Sequence, residues 1–393
     1  MNVLMVSEPG VDGVFRYVEG LCHFLAGQQV GVHLAYSDRR GSDRLFELVA
    51  WIEAQGGQTV NLRTSNRPAL SDGAAFRSLL RLARAVQPDV VHSHSSKAGF
   101  LSRLLPLFGI RAVQIYNPHA YVGMRPKAGR LDWLYNTIER RLGRTAYTIV
   151  TSSGEKAFAL ERLKLPPARL RLRSNGVDTD LFAPVSPEEK RRLRRRLGLP
   201  VQRSILGFLG RSSAQKDPVT LYRAFANVAA RKPIALFHVG KGELDGELDR
   251  LVEQSGLSSR VYRCPYMSTP ADFFRAVDGF ILTSRYEGLS LAALEALSCN
   301  LPMILSEAPG NFDLLKQPLS HVWSAQAGDV EGFARGITGW YDRLQSPSAI
   351  NHRQIARSQY DLREKFGSIL ELYGELAAAV RSRHATAVEV GAR

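Results

Sequence analysis

The chain has 393 residues, of which 45% are hydrophobic and 23% charged, a composition typical of globular proteins that excludes disorder and collagen. Its three cysteines are too few and too scattered for a disulfide framework or a zinc site, which fits a reducing compartment. The net charge of +15 is uneven, because residues 1–200 carry 30 Lys and Arg against 17 Asp and Glu, whereas residues 201–393 carry 22 against 20. The basic first half therefore predicts an anionic partner on that side.

Short apolar runs alternate with amphipathic stretches along the first half of the chain. Continuous runs of Val, Ile and Leu are typical of parallel strands that are buried on both faces. The alternation predicts βα units and a doubly wound sheet. The candidate strands are residues 3–6, 30–35, 89–92, 112–116 and 148–151, and the helical patterns between them include 15–25, 77–86 and 133–142.

The same alternation starts again after residue 200. Its candidate strands are residues 205–209, 235–239, 279–282, 302–305 and 321–323, and its candidate helices are 218–230, 244–254, 269–276, 291–297 and 330–344. The sequence thus predicts an α/β fold of two doubly wound parallel-sheet domains. We place the N-terminal domain at 1–184, a linker helix at 185–200 and the C-terminal domain at 201–352.

The linker contains a basic run at residues 190–196, which is also compatible with a nucleic-acid patch. We favour a solvated connecting helix, because acidic residues open the stretch, basic residues close it and Gly198 follows. No stacking aromatic residues accompany the run, so we expect no nucleic-acid partner.

The sequence contains no run of about 18 apolar residues, which a membrane-spanning helix would need. The first residues lack the basic and long apolar regions of a signal peptide and indicate a buried first strand instead. We therefore expect a cytoplasmic protein that can still lie on a membrane surface.

The stretch from Glu287 to Glu295 follows a predicted strand and opens a predicted helix. Ser290 can cap that helix, and Gly288 lets the backbone approach a ligand closely. A helix N-terminus favours an anion such as a diphosphate. Glu295 lies in an otherwise apolar helix, where a carboxylate needs hydroxyl or amide partners such as those of a sugar or ribose. The alternative is a surface helix with a solvated glutamate.

In each predicted domain, the loop after the first strand contains further candidate site residues. In the second domain, Arg211 and Lys216 bracket a turn of small residues, and two cations beside exposed backbone amides can hold a diphosphate. The alternative is an ordinary βα loop with surface charges. In the first domain, the loop with Gly10 and Gly13 does not have the spacing of a dinucleotide-binding fingerprint, but it would let a ligand come near the backbone.

Histidines follow two strands of the first domain. His119 lies at the carboxyl end of a strand, where open α/β sheets place ligands, and it can hydrogen-bond a sugar hydroxyl or polarise a reacting group. The alternative is a structural loop histidine. His92 and His94 have the spacing of a metal-ligating pair, but no third ligand is nearby in the sequence. We interpret this pair as structural or substrate-facing.

The pair Asp178 and Asp180 has the spacing of a site that could hold Mg²⁺ on a nucleotide-sugar. It lies, however, in a turn with Asn175 and Gly176, and such a turn favours Asp without any metal. We therefore interpret both carboxylates as structural.

Together these motifs resemble the retaining, nucleotide-sugar-dependent glycosyltransferases of family four, which have the GT-B architecture of two Rossmann-like domains facing across a cleft. The resemblance covers essentially the whole chain. It is carried by residues 287–295, by Arg211 and Lys216, by the turn at 175–182 and by Pro118-His119. Residues 94–100 are similar to the same region of bacterial exopolysaccharide and O-antigen enzymes.

The resemblance implies that four residues take part in catalysis. Arg211 and Lys216 would hold the donor diphosphate, Glu287 would contact the donor sugar near its reacting face, and His119 would contact that sugar from the first domain. Cations and backbone amides, rather than a metal, would stabilise the leaving diphosphate. The resemblance therefore predicts no metal and no cofactor, and the nucleotide-sugar is a substrate.

The resemblance also implies a set of donor-binding residues. Glu295 would bind the ribose hydroxyls, the loop before it would supply backbone amides, and the first loop of the chain would close the cleft. The full set is Gly10, Gly13, Arg211, Lys216, Gly288, Leu289, Ser290 and Glu295. A C-terminal helix at about residues 359–380 would pack back onto the first domain.

The expected function is transfer of a sugar from a nucleotide-diphosphate sugar to a saccharide acceptor. We favour a UDP-sugar over GDP-mannose, and an acceptor linked to polyprenyl diphosphate in bacterial surface or exopolysaccharide biosynthesis. Two alternatives are a nucleotide-sugar 2-epimerase of the same architecture and an inactive nucleotide-sugar-binding scaffold.

Basic residues of the first half cluster with apolar and aromatic ones at 101–111 and 124–144. This combination predicts docking on an anionic membrane at the inner face of the cell membrane. The alternative is a merely basic soluble domain. The second cluster contains Arg125, Lys127, Arg130, Trp133, Tyr135, Arg140, Arg141 and Arg144.

Overall fold

The computed structural model describes residues 1–65, 68–125, 129, 132–345 and 349–391, with side chains described as far as residue 380. Within these residues the chain forms two sheets, one of seven strands and one of six. Every strand pairing in both sheets is parallel. Two parallel-sheet α/β domains are therefore present, as the sequence predicts.

The first sheet and its helices come from the N-terminal half of the chain. In chain order the elements are β1 (Asn2–Ser7), α1 (Asp12–Gly27), β2 (Gly31–Tyr36), α2 (Asp43–Ala54), β3 (Thr59–Asn61), α3 (Asp72–Val86), β4 (Val90–His94), α4 (Ser96–Ser102), β5 (Val113–Asn117), α5 (Asp132–Leu142), β6 (Tyr147–Val150), α6 (Ser153–Glu161) and β7 (Leu170–Leu172). The strand order across this sheet is β3-β2-β1-β4-β5-β6-β7.

The second sheet follows a connecting helix. The elements are α7 (Pro187–Arg196), β8 (Ser204–Leu209), α8 (Pro218–Ala229), β9 (Ile234–Val239), α9 (Asp245–Gln254), β10 (Val261–Cys264), α10 (Pro270–Ala276), β11 (Gly279–Leu282), α11 (Leu291–Ser298), β12 (Met303–Ser306), α12 (Phe312–Leu315), β13 (Val322–Ala325), α13 (Val330–Leu344), α14 (His352–Gln359) and α15 (Leu362–Gly391). The strand order across the second sheet is β10-β9-β8-β11-β12-β13.

Apolar side chains cover both faces of the sheets. Along β1, Val3 and Met5 belong to one buried cluster, and Leu4 and Val6 belong to another. Because successive side chains of a strand point to opposite faces, both faces of β1 are buried beneath helices. This is why the strand is a continuous apolar run in the sequence.

The direction of winding reverses once in each sheet. The reversal falls between β1 and β4 in the first domain and between β8 and β11 in the second. Open α/β sheets bind ligands at the carboxyl ends of the strands at such a point. The loops after β1, β4, β8 and β11 are therefore where a ligand is expected.

Helix α7 carries the basic run of the linker. Its N-terminus has a capping box formed by Ser186 and Glu189, whose side chains accept each other's backbone N–H groups. Arg194 is buried, and it donates to the carboxylate of Asp278 at 2.6 Å and to the carbonyl of Ala276 at 2.7 Å. Part of the basic run thus anchors the helix to the second domain.

The chain crosses between the domains twice. At the crossing, the N–H of Val177 donates to the carbonyl of Tyr360 at 2.8 Å, and the N–H of Leu362 donates to the carbonyl of Val177 at 3.1 Å. Helix α15 then packs on the first domain, where Phe366 and Tyr373 join the buried cluster of α1. None of the helices in the described part of the chain combines the length and apolar character needed to cross a bilayer.

Candidate active site

The loops after β8 and β11 are bonded to each other at the switch point of the second sheet. The N–H of Arg285 donates to the carbonyl of Gln215 at 2.8 Å, and the Gln215 side-chain amide donates to the carbonyl of Tyr286 at 3.2 Å. Nζ of Lys216 lies 2.6 Å from Oε1 of Glu287, and both side chains are largely buried. The structure thus brings together Lys216, which is predicted to hold the diphosphate, and Glu287, which is predicted to contact the sugar.

The backbone before Arg211 is fixed by buried residues that the sequence analysis missed. Nε2 of His238 lies 3.3 Å from the carbonyl oxygen of Gly210, and Nδ1 lies 2.9 Å from the hydroxyl of Tyr222. Burial lowers the pKa of His238 to about 4, so the ring is neutral, and its Nε2–H donates to Gly210 while Nδ1 accepts from Tyr222. These contacts hold the start of the Arg211 loop in place.

Helix α11 begins as predicted, with Ser290 as its N-cap accepting from the N–H of Ala293 at 3.4 Å. Glu295, one turn further on, is buried and pairs with Arg16 of α1 in the other domain. Burial raises the pKa of the Glu295 carboxyl, and Arg16 acts in the opposite direction. Oε2 of Glu295 is buried and has no hydrogen-bond partner among the described residues.

A second ion pair also crosses between the domains. Nε of Arg211 lies 3.4 Å from Oδ2 of Asp12, and each side chain is about half exposed. A methyl group of Leu291, at the start of α11, lies 3.5 Å from the position of a Cβ on Gly13. The N-terminus of α1 therefore faces both the Arg211 loop and α11.

Asp12 and Arg16 were missed by the sequence analysis as site residues. Helix α1 begins at Asp12, three residues before the predicted helix, and a spacing of four residues places Asp12 and Arg16 on one face of it. That spacing was the only signal available in the sequence. Nothing in the sequence pairs them with Arg211 and Glu295.

Gly288 is the closest approach of the β11 loop to the first domain. A Cβ at Gly288 would lie 2.7 Å from Oγ1 of Thr151 and 3.3 Å from both the Ala120 nitrogen and the His119 carbonyl carbon. The glycine is therefore required by the contact between domains. His119 and Gly288 lie on opposite sides of this contact, so the structure places His119 beside the Glu287 loop.

A buried carboxylate fixes the turn at His119 by accepting backbone hydrogen bonds. Glu155 accepts from the N–H of Ala120 at 2.8 Å and from the N–H of Thr151 at 2.6 Å. Burial raises the pKa of Glu155, and these hydrogen bonds lower it. His119 itself has a φ of 53°, a left-handed conformation that Glu155 and its neighbours must maintain.

Two of the predicted donor-binding residues have their polar groups engaged within the protein. Gly10 is buried, its N–H donates to the carbonyl of Arg40 at 3.0 Å, and a Cβ there would lie 2.6 Å from Cδ2 of Leu45. Packing against residues 40–41 therefore explains this glycine without a ligand. Leu289 is buried as well, and its carbonyl accepts from Nδ2 of Asn175 at 2.7 Å.

Asp178 acts within its own turn. Its Oδ1 accepts from the N–H groups of Asp180 at 3.0 Å and Leu181 at 2.9 Å, which is the geometry expected of a structural carboxylate. No group of three or more His, Cys, Asp or Glu side chains in the described ranges is arranged to hold a metal ion.

Comparisons with known proteins match both halves of the chain. Residues 11–181 match the family model described as Glycosyltransferase Family 4, and residues 189–355 match the model described as Glycosyl transferases group 1. The UDP-Gal:alpha-D-GlcNAc-diphosphoundecaprenol alpha-1,3-galactosyltransferase of Escherichia coli is 27% identical over 78% of this chain and 81% of its own. The D-inositol 3-phosphate glycosyltransferase of Mycobacterium tuberculosis is 30% identical over 67% of this chain and 58% of its own.

Solved structures share the arrangement of both domains. The Anabaena protein HepE in complex with UDP-glucose superposes with a TM-score of 0.81 at 19% identity, covering 95% of this chain and 100% of its own. The sucrose-phosphate synthase of Thermosynechococcus elongatus superposes with a TM-score of 0.79 at 20% identity, covering 96% and 100%. These similarities show the fold, and the family models cover both domains. The chain therefore belongs to the GT-B glycosyltransferases, with a family 4 domain in its N-terminal half and a group 1 domain in its C-terminal half.

Proposed function

We propose that this glycosyltransferase moves a sugar from a UDP-sugar, with retention of configuration, to a saccharide carried on a polyprenyl diphosphate in bacterial surface or exopolysaccharide assembly. The observation that carries the proposal is the contact of Lys216 with Glu287 beside Arg211. It supports a site in which cations meet a diphosphate next to a carboxylate that can accept hydrogen bonds from sugar hydroxyls.

The proposed mechanism depends on stabilising the charge that develops on the leaving diphosphate. Arg211, Lys216 and the N-terminus of α11 supply positive potential where that charge appears, and their positions are set before the reaction begins. Glu287 and His119 hold the sugar from the two domains. Cations and amides thereby supply the role that a divalent ion would otherwise take.

The donor and acceptor classes are supported by related proteins. HepE has been solved in complex with UDP-glucose, and the name of the Escherichia coli relative specifies UDP-Gal and a GlcNAc linked to diphosphoundecaprenol. For this chain we therefore favour UDP over GDP-mannose and a lipid-linked saccharide acceptor.

We further propose that the enzyme works on the anionic inner surface of the cell membrane. Trp133 is 67% exposed on α5, and Leu107 is 78% exposed on the neighbouring segment. These two segments are joined by a buried ion pair, in which Arg103 donates to Glu139 at 2.9 Å. Exposed apolar and aromatic side chains among basic ones are suited to the headgroup region of a membrane.

The individual cations of this surface differ in their roles. Arg140, Arg141 and Arg144 are all exposed, but Arg140 also donates to the carbonyls of Leu163 and Arg162 and so supports the fold. Lys127 and Arg130, which the sequence analysis included, lie outside the described residues. Arg125, Tyr135 and Trp133 complete the described part of the cluster.

Liposome flotation tests the membrane surface. Wild-type protein should bind vesicles that contain anionic lipid at low salt, and the double variant Arg141→Glu, Arg144→Glu should lose that binding. Arg335→Glu is the matched control, because Arg335 is exposed in the second domain. Equal binding by all three proteins would show that this surface is not the docking face.

A donor panel tests the reaction. The protein is incubated with UDP-galactose, UDP-glucose, UDP-N-acetylglucosamine or GDP-mannose and a diphosphoundecaprenol-linked GlcNAc acceptor, and the product linkage is read by the anomeric coupling in NMR. We expect one UDP-sugar to be transferred with its anomeric configuration kept. An inverted product would contradict retention, release of epimerised donor without acceptor would indicate an epimerase, and binding without turnover would indicate a scaffold.

A further inference from the structure

Two buried histidines lie directly behind His119. His92 and His94, at the end of β4, are fully buried, and their ring centroids lie 4.1 Å apart. Nδ1 of His94 lies 3.0 Å from Nε2 of His119. The structure also brings His119, which follows the next strand of the sheet, against His94, a contact that the sequence analysis did not predict. His94 and His119 are hydrogen-bonded to each other, and His92 packs against the ring of His94. No group of three or more His, Cys, Asp or Glu side chains in the described part of the chain is arranged to hold a metal ion.

All three imidazoles are neutral near pH 7. Burial lowers the pKa of His119 and of His92 to about 3, and it lowers that of His94 well below its ordinary value. A neutral imidazole carries one hydrogen, so one nitrogen donates and the other accepts. The contact between His94 and His119 therefore contains a single hydrogen, and two arrangements are open.

In the first arrangement, Nε2–H of His119 donates to Nδ1 of His94. The hydrogen of His94 must then reside on its own Nε2. That nitrogen is buried and has no hydrogen-bond partner among the described residues. A buried N–H without an acceptor is rare and costs stability.

In the second arrangement, Nδ1–H of His94 donates to Nε2 of His119. Nε2 of His94 is then only an acceptor lone pair, and an unsatisfied buried acceptor is tolerated more readily than an unsatisfied donor. The hydrogen of His119 must in this case reside on Nδ1. Nδ1 has no partner in the described part of the chain, so it is the ring nitrogen left for a ligand.

We propose that His94 is a positioning residue that fixes His119 in the Nδ1–H form, so that His119 donates a hydrogen bond to an oxygen of the donor sugar. The proposal rests on the proposed function, since it assigns His119 a contact with that sugar. His119 and Glu287 then have opposite roles, because the Nδ1–H group only donates and a carboxylate only accepts. His119 therefore donates to a sugar oxygen on one side of the sugar, and Glu287 accepts from a sugar hydroxyl on the other side.

The orientation of the His119 ring is fixed by packing as well. The ring of Tyr17 meets His119 edge-on with centroids 5.0 Å apart, and Phe366 of α15 packs edge-on against Tyr17 at 5.4 Å. On the far side, Nδ1 of His92 lies 2.5 Å from the hydroxyl of Tyr373, also on α15. The C-terminal helix thus supports the histidine pair from behind, and rotation of His119 would break these contacts.

Nitrogen NMR reads the hydrogen position directly and needs no substrate. Protein labelled with ¹⁵N at histidine is examined by long-range proton–nitrogen correlation near pH 7, with His119→Gln used to assign the signals. We expect Nδ1 of His119 to carry the hydrogen and its Nε2 to carry none. A hydrogen on Nε2 of His119 would overturn the proposal.

A matched pair of variants tests the consequence for turnover. In His94→Asn, the side-chain amide reaches the place of Nδ1 and still donates to His119, whereas His94→Leu has a similar shape without a donor. We expect the Leu variant to lower kcat about tenfold, as for loss of one oriented hydrogen bond, and the Asn variant to keep most of it. UDP without its sugar should bind both variants with wild-type affinity, which also verifies the fold.

The outcomes are distinct. Equal loss of kcat in both variants would show that His94 only fills space, and equal retention would show that the hydrogen bond does not matter, so either result overturns the proposal. If wild-type protein neither binds UDP nor transfers sugar, the proposed function fails, and the NMR measurement still decides the form of His119.

Discussion

Replacing Gly288 with alanine should disturb the contact between the domains where the two halves of the site meet. The new Cβ would lie 2.7 Å from Oγ1 of Thr151, so the groups must separate by about 0.7 Å to reach the 3.4 Å of ordinary contact. Thr151 cannot easily yield, because its Oγ1 donates to the buried carboxylate of Glu155 at 2.9 Å. The β11 loop must therefore move away from the first domain.

We expect Gly288→Ala to lower both the free energy of unfolding and the turnover rate. Overpacking of a buried contact costs about 1–3 kcal/mol, which urea unfolding should show as a lower free energy of unfolding. Displacement of Glu287 from His119 by about 1 Å can cost up to about 100-fold in turnover. We therefore expect loss of kcat to exceed what reduced stability explains, measured as release of UDP from the donor in the presence of acceptor.

The control is Gly246→Ala in α9 of the same domain, where a Cβ meets nothing within 4 Å outside its own helix. That variant should gain about 0.5–1 kcal/mol and keep full activity. Adding Thr151→Ala to Gly288→Ala removes the clashing oxygen and should recover part of the loss. If Gly288→Ala is as stable and active as the control, the contact between domains is absent in solution and the reasoning fails.

Three further predictions concern charge, pH and metal. Asp12→Asn should strengthen UDP binding by up to about 1 kcal/mol in calorimetry, because the half-exposed Asp12 competes with the diphosphate for Arg211; weaker binding would contradict this. Between pH 6.5 and about 3 the unfolded state binds a proton that folded His92, with its pKa lowered to about 3, does not, so acidification lowers the free energy of unfolding. His92→Asn should make this decrease smaller by about 1.4 kcal/mol per pH unit. An unchanged slope of unfolding free energy against pH would refute the prediction. Turnover should persist in EDTA; activity that is lost in EDTA and returns only with Mg²⁺ would contradict this. Asp178→Asn should lower the free energy of unfolding by about 1 kcal/mol, and with it the melting temperature, but the folded protein should keep its turnover rate.

Most strands could be predicted because they are buried on both faces. Three were missed, β3, β7 and β10, and each lies at the edge of a sheet. β3 and β7 have three residues each, and β10 is only half buried, with Arg263 paired to Asp245 and Asp249. An edge strand of this kind has no continuous apolar run, so hydrophobic patterning cannot reveal it.

Part of the candidate site could likewise be predicted from the sequence, and part could not. Groups within one loop and the following helix, such as Glu287 and the Ser290 cap, follow from local sequence. The partner of Glu295 does not, because Arg16 lies 279 residues away and only the packing of the domains brings them together. Gly10 shows the opposite failure, since a glycine required by packing and one required by a ligand look alike in a sequence.

Calorimetric titration with UDP tests the central claim most directly. Wild-type protein should bind UDP, and Arg211→Ala and Lys216→Ala should each weaken binding by about 1.5–3 kcal/mol, as for lost charge-assisted hydrogen bonds. Arg335→Ala, which removes an exposed cation elsewhere in the same domain, should bind UDP as the wild type does. Absence of UDP binding by the wild type, or the same affinity in all four proteins, would contradict the assignment of this cleft as the nucleotide-sugar site.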